Sequence, residues 1–466
     1  MFAHAEDFSI RSGDFTDSSS ASTMYSISPE LALESAFCEN NNIIDEETPW
    51  NEELSAHYKR SSAYYTMREN APSLLRDLVQ WLKQNEKPLM KRYGDYARYD
   101  LRRILWSLDI LRDDLTNNKP FKLFHGKEPD TENWNKFLSS LPDDRNQWFT
   151  SVWLHAQCYL YRRISTIFKR TETLCHFDYF SHSKMTATRQ LVYVMLGILK
   201  ATRNMDFSHN DFEVLLKLSV WGNRCDLSIQ HNPPEDNIMT RISGFDSDLL
   251  LDQSDDILRV LKEARSPVFV DIVCDNAGYE LFTDLILGEY LFEAGLARQV
   301  RYHVKAIPSF VSDATVNDFR WTLRYLRTHA ISELAAFGNK IHGFMKDKFF
   351  VLSDLSHFWT SPHSCSSMRK VLPCLYVRLS QSALVIFKGD EHFRRLLGDI
   401  NPHPAESFVK CLKGFLPTSI CSLRVIKSNI FCGMQDYTMS FIREEDSRWM
   451  LTGEKAVIQL AEKISP

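Results

Sequence analysis

An apolar run, "PVFVDIVC" (Pro267–Cys274), ends abruptly in Asp275 and Asn276, and a helix-like pattern begins after Gly278. Three later runs also deliver polar groups. "QVRYHVKAIP" leads through "SFVSD" to Asp313, "SALVIF" to Lys388, Gly389 and Asp390, and "SLRVI" to Lys427, with Arg424 inside the run. Carboxylate and amide oxygens without sulfur select hard cations such as Mg²⁺ or Mn²⁺. Asp275, Asn276 and Asp313 would offset a divalent charge and leave positions for water and a phosphate oxygen. Lysines suit a phosphoryl group as compact point charges. A bound cation can bring the pKa of water from about 15.7 toward about 7, which supplies a nucleophile near neutral pH. Taken singly, each residue has a plain structural account. An Asp after a strand often caps a helix, and Lys388 alone reads as a surface lysine. Their common place at run ends joins them, because ligands of open parallel sheets sit beyond the carboxyl ends of the strands.

The elements that would position these groups change along the chain. From about Ser61 to Gln230 the period is helical, as in "SVWLHAQCYLYRRIS" and "RQLVYVMLGILKATR". A polar stretch, "QHNPPEDN" (Gln230–Asn237), reads as a loop or boundary. Beyond it, short Val/Ile/Phe runs alternate with helical patterns, which argues for a mostly parallel sheet covered by helices. The expected fold class is α/β, a three-layer α/β/α sandwich with an N-terminal helical domain. The expected organisation is an acidic disordered tail over 1–55, a mainly helical domain over 56–235 and an α/β domain over 236–466.

Composition narrows the function. Of the 466 residues, 44% are hydrophobic and 25% charged, as in globular proteins. Residues 1–50 carry ten Asp/Glu against one Arg, so the formal charge of −5 conceals an acidic first segment, for which a protein partner is expected. No basic stripe with interleaved aromatics suggests nucleic acid. No apolar stretch is long enough to span a bilayer, and no signal or transit pattern opens the chain. The expectation is a protein without membrane or nucleic-acid partners, intracellular in the cytoplasm or nucleus. Its ten cysteines form no zinc-like spacing. "GNKIHGF" lacks the Lys-Ser/Thr of a P-loop, "DSDLL" lacks the preceding apolar strand of an aspartyl-phosphate loop, and no GxGxxG, HExxH or GxSxG occurs.

The motifs "YLYRRI", "SVWGNRCDLSI", "DNAGYELFTDLIL", "KAIPSFVSDATVNDF", "FWTSPH", "LVIFKGD" and "LRVIK" together resemble the damage-control phosphatases of the acidic-residue methyltransferase group. The resemblance runs from about Ser62 nearly to the C-terminus. It implies metal-dependent hydrolysis of phosphate monoesters of small phosphorylated metabolites, fructose 1-phosphate and fructose 6-phosphate, with Mn²⁺, Ni²⁺ or Co²⁺. By motif, Asp275, Asn276 and Asp313 would hold the metal. Asp275, Asn276, the loop Lys388, Gly389, Asp390, Glu391, His392, and Lys427 would hold substrate, with Asp390 also polarising water or orienting a sugar hydroxyl. Glu280 and Asp313 would serve the group's second activity, protein-glutamate O-methylation with S-adenosyl-L-methionine. Asn223 and Asp226 would face the same cleft. The chain departs from the group at three places. Glu391 and His392 replace Leu and Asn of the loop, Val425 removes the hydroxyl of an Arg-Thr-x-Lys motif, and Gln157 replaces a common Glu. A carboxylate at 391 would weaken phosphate binding unless it points away, and a catalytically weakened regulatory homologue is the further alternative.

Overall fold

The computed structural model describes residues 29–223, 244, 246–446 and 448–464. Two compact units are distinguished, Met1–Asn42 and Ile43–Pro466. The described part of the first contains a helix, Pro29–Asn40. The described residues of the second contain seven strands: β1 Leu249–Asp252, β2 Phe269–Val273, β3 Gln299–His303, β4 Phe350–Leu352, β5 Leu384–Lys388, β6 Ser419–Val425 and β7 Ala456–Ala461. They form one sheet in the order β1-β7-β6-β5-β2-β3-β4. Every neighbouring pair is parallel except the antiparallel β6/β7.

Strand alternation separates the two faces. Val270 and Ile272 of β2, Val300 and Tyr302 of β3, and Leu384 and Ile386 of β5 share one apolar core. Side chains of helices His209–Trp221, Ser254–Glu263, Tyr279–Glu293 and Ser332–Lys346 complete that core. The intervening positions face the opposite side, where helix Gly389–Leu397 packs on β5 and β6 and against helix Trp153–Lys169. There Trp359 meets Phe387, His303 and His392 edge-on. Helices thus cover both faces of a mostly parallel sheet, which is the α/β sandwich expected.

The four runs quoted from the sequence are β2, β3, β5 and β6, and a fifth Val/Phe run, "KFFVLSD" (Lys348–Asp354), is β4. β1 and β7 were not anticipated, because "LLLD" is only four residues and "AVIQLA" is apolar without alternation, a pattern shared by buried strands and buried helices. The boundary of the acidic segment also differs. Residues 1–28 lie outside the described residues, but 43–55 belong to the folded unit. Leu54 is buried, its N–H donates to Asp399 O at 2.7 Å, and Asn51 N–H donates to Asn401 O. Charge in this segment masked one apolar anchor. Residues 56–223 and 246–464 cluster in the same compact unit, and the expected boundary at 235 falls outside the described residues. No helix among the described residues is long and apolar enough to cross a membrane.

Candidate active site at the β2/β5 switch point

From β2 the chain crosses to β3 and then β4 on one side, and returns as β5 on the other side of β2. That reversal opens a crevice between the carboxyl ends of β2 and β5, the general ligand position in such sheets. Asp275 and Asn276 follow β2, and Gly389 follows β5. Gly389 has φ +79°, and a Cβ there would lie 2.0 Å from Asp275 Oδ2. Only glycine lets the start of helix Gly389–Leu397 close onto that carboxylate. Gly278, at φ +74°, similarly turns the chain into helix Tyr279–Glu293.

The loops after β2 and β3 are stitched together. Ala314 N–H donates to Asp275 O and Ala277 N–H to Ser312 O, both at 2.8 Å, and Asn276 bridges to Asp313. Thr315 and Asp318 form a reciprocal capping box that starts helix Val316–Arg327 directly after Asp313. Asp275, Asn276 and Asp313 are therefore brought together by backbone bonds.

The side chains make a crowded acidic centre. Asn276 Nδ2 donates to Glu280 Oε2 at 2.6 Å and Asp275 Oδ2 at 3.1 Å, while Asn276 Oδ1 accepts from Ser312 Oγ. Asn223 Nδ2 donates to the same two carboxylates at 2.9 and 3.0 Å. Asn223 Oδ1 accepts from Lys427 Nζ, so Lys427 reaches the cleft through that amide. Asp226 lies outside the described residues. Asp313 Oδ2 is buried without a hydrogen bond; Lys305 Nζ lies 3.4 Å away but poorly aligned.

Burial, with Glu280 and then Asp313 adding to it, pushes the Asp275 carboxyl well above the usual carboxylate range. Burial likewise carries Asp313 up to about 7, opposed by Lys305. Five buried carboxylates (Asp275, Glu280, Asp284, Asp313 and Glu391) face three buried cations, the ammonium groups of Lys305 and Lys388 and the guanidinium of Arg395. The deficit of positive charge is what a divalent cation would relieve. Among the described residues no three His, Cys, Asp or Glu side chains form a metal nest. The expected set instead needs the Asn276 amide oxygen, which an exchange of the amide's two ends would turn toward the carboxylates. With that amide, the unbonded Asp313 oxygen and the raised Asp275, the donors present fit a hard cation.

Other expected residues take different places. Lys388 is fully buried below the centre, not exposed to a phosphate. Its ammonium donates to Ser219 Oγ at 2.6 Å and pairs with Asp284 at 2.9 Å and Glu280 at 3.5 Å. The reason is parity: Lys388 shares the β5 face of Leu384 and Ile386. Asp390 Oδ1 accepts from Arg424 Nε at 2.8 Å, Lys427 N–H at 3.1 Å and Ser428 Oγ at 3.0 Å. It thereby ties the helix start to the end of β6 and leaves Oδ2 without a partner among the described residues. Glu391 does point away from the cleft. Arg395 donates to Oε1 at 2.9 and 2.6 Å, and Lys305 to Oε2 at 2.5 Å. Burial alone would raise the Glu391 carboxyl, but Arg395 and Lys305 outweigh it and hold it below the usual range. His392 is buried with Nε2 3.2 Å from Cys274 O, and burial brings its pKa down to about 3. Gln157 accepts from Arg394 at 2.6 Å.

Sequence reading missed Lys305, Asp284 and Ser219. Lys305 lies inside "KAIPSFVSD", two residues past β3, where its strand-end position was a usable signal. Asp284 follows Glu280 by four residues in the first, mostly apolar half of helix Tyr279–Glu293, the spacing that puts two carboxylates on one face.

Comparison with known proteins adds an independent line. The family model described as "Damage-control phosphatase ARMT1-like domain" matches residues 66–439. Damage-control phosphatase ARMT1 of Danio rerio is 33% identical over 436 residues, spanning 88% of this chain and 96% of that protein. The Homo sapiens protein of that name is 29% identical over 430 residues, spanning 87% and 97%. Among solved structures, a DUF89 family protein from Pyrococcus horikoshii is similar at a TM-score of 0.45 and 15% identity, covering 85% of this chain and 97% of that one.

Proposed function

The chain belongs to the ARMT1-like damage-control phosphatase family, and from that premise we propose that it hydrolyses phosphate monoesters of small metabolites with a divalent metal, fructose 1-phosphate and fructose 6-phosphate first. The observation that carries this reading is the switch-point crevice, where Asp275 and Asp313, both with raised carboxyl pKa values, lie beside Asn276 and the start of helix Gly389–Leu397.

Asp275, Asn276 and Asp313 would hold Mn²⁺, Co²⁺ or Ni²⁺. When bound, the ion would supply an activated water and a Lewis-acid contact to the phosphoryl group. The protein's own groups do the rest. Lys427, steadied by Asn223, places an ammonium at the rim for a phosphoryl oxygen. The N–H groups opening helix Gly389–Leu397 aim the positive end of its dipole at the same anion. Asp390, its Oδ1 fixed by Arg424, presents Oδ2 to orient the attacking water or a sugar hydroxyl. Lys388 acts from below, as counter-ion to Glu280 and Asp284. Burial alone would lower its pKa, yet Asp284 and Glu280 hold it raised and charged.

The test is phosphate release from each sugar phosphate by metal-stripped protein, with Mn²⁺, Co²⁺, Ni²⁺ or Mg²⁺ returned separately. Turnover that appears only with metal is expected. No phosphate from either substrate with any of the four would sink the reading.

A further inference from the structure

Lys305 stands between two carboxylates at unequal distances: Glu391 Oε2 at 2.5 Å and Asp313 Oδ2 at 3.4 Å. All three side chains are buried, Lys305 and Asp313 at 1% exposure. Nζ also donates to Trp359 O at 3.3 Å. Without Glu391, the ammonium's only carboxylate within ion-pair distance among the described residues would be Asp313, and closing a gap of less than 1 Å would make a short charged hydrogen bond. That bond would occupy Asp313 Oδ2, a buried oxygen now left without a hydrogen bond among the described residues, and place a full positive charge against it.

Glu391 is itself rigidly held. Arg395 grips its other oxygen with two N–H groups and donates on to Phe358 O, Ser361 O and His363 O at 3.3, 2.7 and 2.8 Å. The loop over 358–363, Arg395, Glu391, Lys305 and Asp313 therefore form one continuous chain of contacts, buried from Arg395 inward.

We propose that Glu391 is a positioning residue that draws Lys305 off Asp313 and so keeps an Asp313 oxygen open for a divalent cation. The inference rests on the metal-dependent reading above. It assigns the Glu391 carboxylate to metal retention, not to contact with the phosphate.

The sign pattern of three variants tests it, read as the Mn²⁺ dissociation constant by calorimetry on metal-stripped protein, with circular dichroism melts as folding controls. Glu391→Gln frees Lys305 to close on Asp313, and Mn²⁺ should bind about 10-fold or more weakly. Lys305→Met removes the competitor and should bind Mn²⁺ as tightly as wild type or tighter. The double variant should recover most of what Glu391→Gln lost. A merely structural role for the pair predicts otherwise: both single variants weaken binding and the double variant is weakest. That result, or Glu391→Gln binding like wild type, would overturn the proposal alone. Wild-type protein that binds no divalent cation would overturn both the proposal and the metal-dependent reading.

Discussion

Asp271 and Asp275 lie four residues apart on one strand and its exit, both buried, and their surroundings are opposite. Asp271 is saturated with donors: Arg301 Nε at 2.9 Å and Nη2 at 2.5 Å, His303 Nε2 at 2.7 Å, and the Ser382 hydroxyl. Burial would raise its carboxyl, but His303 and Arg301 outweigh burial and hold it below the usual range. Among the described residues Asp275 receives only amide N–H groups from Asn223 and Asn276, shared with Glu280, and its carboxyl is pushed up. A carboxylate whose partners are complete is part of the scaffold. One left short of positive charge in a crevice is a candidate for a ligand's charge. The same residue type therefore carries different meanings one helical turn's length of sequence apart.

The sharpest break of this comparison is Asp275→Ala. Phosphate release should fall about 10³-fold or more, while the melting temperature of metal-free protein holds or rises, because a strained carboxyl is removed. Asp271→Ala should do the reverse. It leaves Arg301 buried without its counter-ion, which costs about 3–5 kcal/mol, read as a lowered denaturation midpoint, with kcat of the surviving folded fraction little changed. Gly389→Ala comes next. A Cβ 2.0 Å from Asp275 Oδ2 must displace that carboxylate, and a shift of that order costs about 10²-fold in turnover, measurable beside an unchanged circular dichroism spectrum.

The smallest effect is in pH dependence, and its sign differs between the two regions. Asp313, raised to about 7 from 3.8, and Asp284, raised to about 6 chiefly by burial, stabilise the fold most below the unfolded value. That contribution is lost as pH climbs through about 6 to about 7. Asp271, lowered from 3.8, contributes above that value and loses its contribution as pH falls below it. Metal-free protein should thus melt progressively lower between about pH 4 and about pH 7, and Asp313→Asn should flatten that slope. A melting temperature that is level across this range in the wild-type protein would remove the charge-deficit account.

The sequence carried the outline of this arrangement and not its interior. Runs of Val, Ile and Phe located β2 to β6, and the polar residues at their ends named Asp275, Asn276 and Asp313, because strand-end position survives in sequence. Side-chain direction does not. Lys388 reads as a phosphate-facing lysine until strand parity turns it under the sheet onto Ser219 and Asp284. Glu391 reads as an intruding charge until Arg395, four residues on, and Lys305, 86 residues back, close around it. The i, i+4 partner was legible, and the distant one was not. Leu54 escaped notice because its anchor, Asp399, lies far along the chain.

The central claim is that the Asp275–Asn276–Asp313 corner is short of one divalent cation. Anomalous diffraction from crystals soaked in Mn²⁺ tests it most directly. The account predicts a single strong peak bonded to the carboxylates of Asp275 and Asp313 and to the Asn276 amide oxygen, absent in Asp275→Ala. A crystal with no peak there, or with the cation held elsewhere in the wild-type protein, would contradict it.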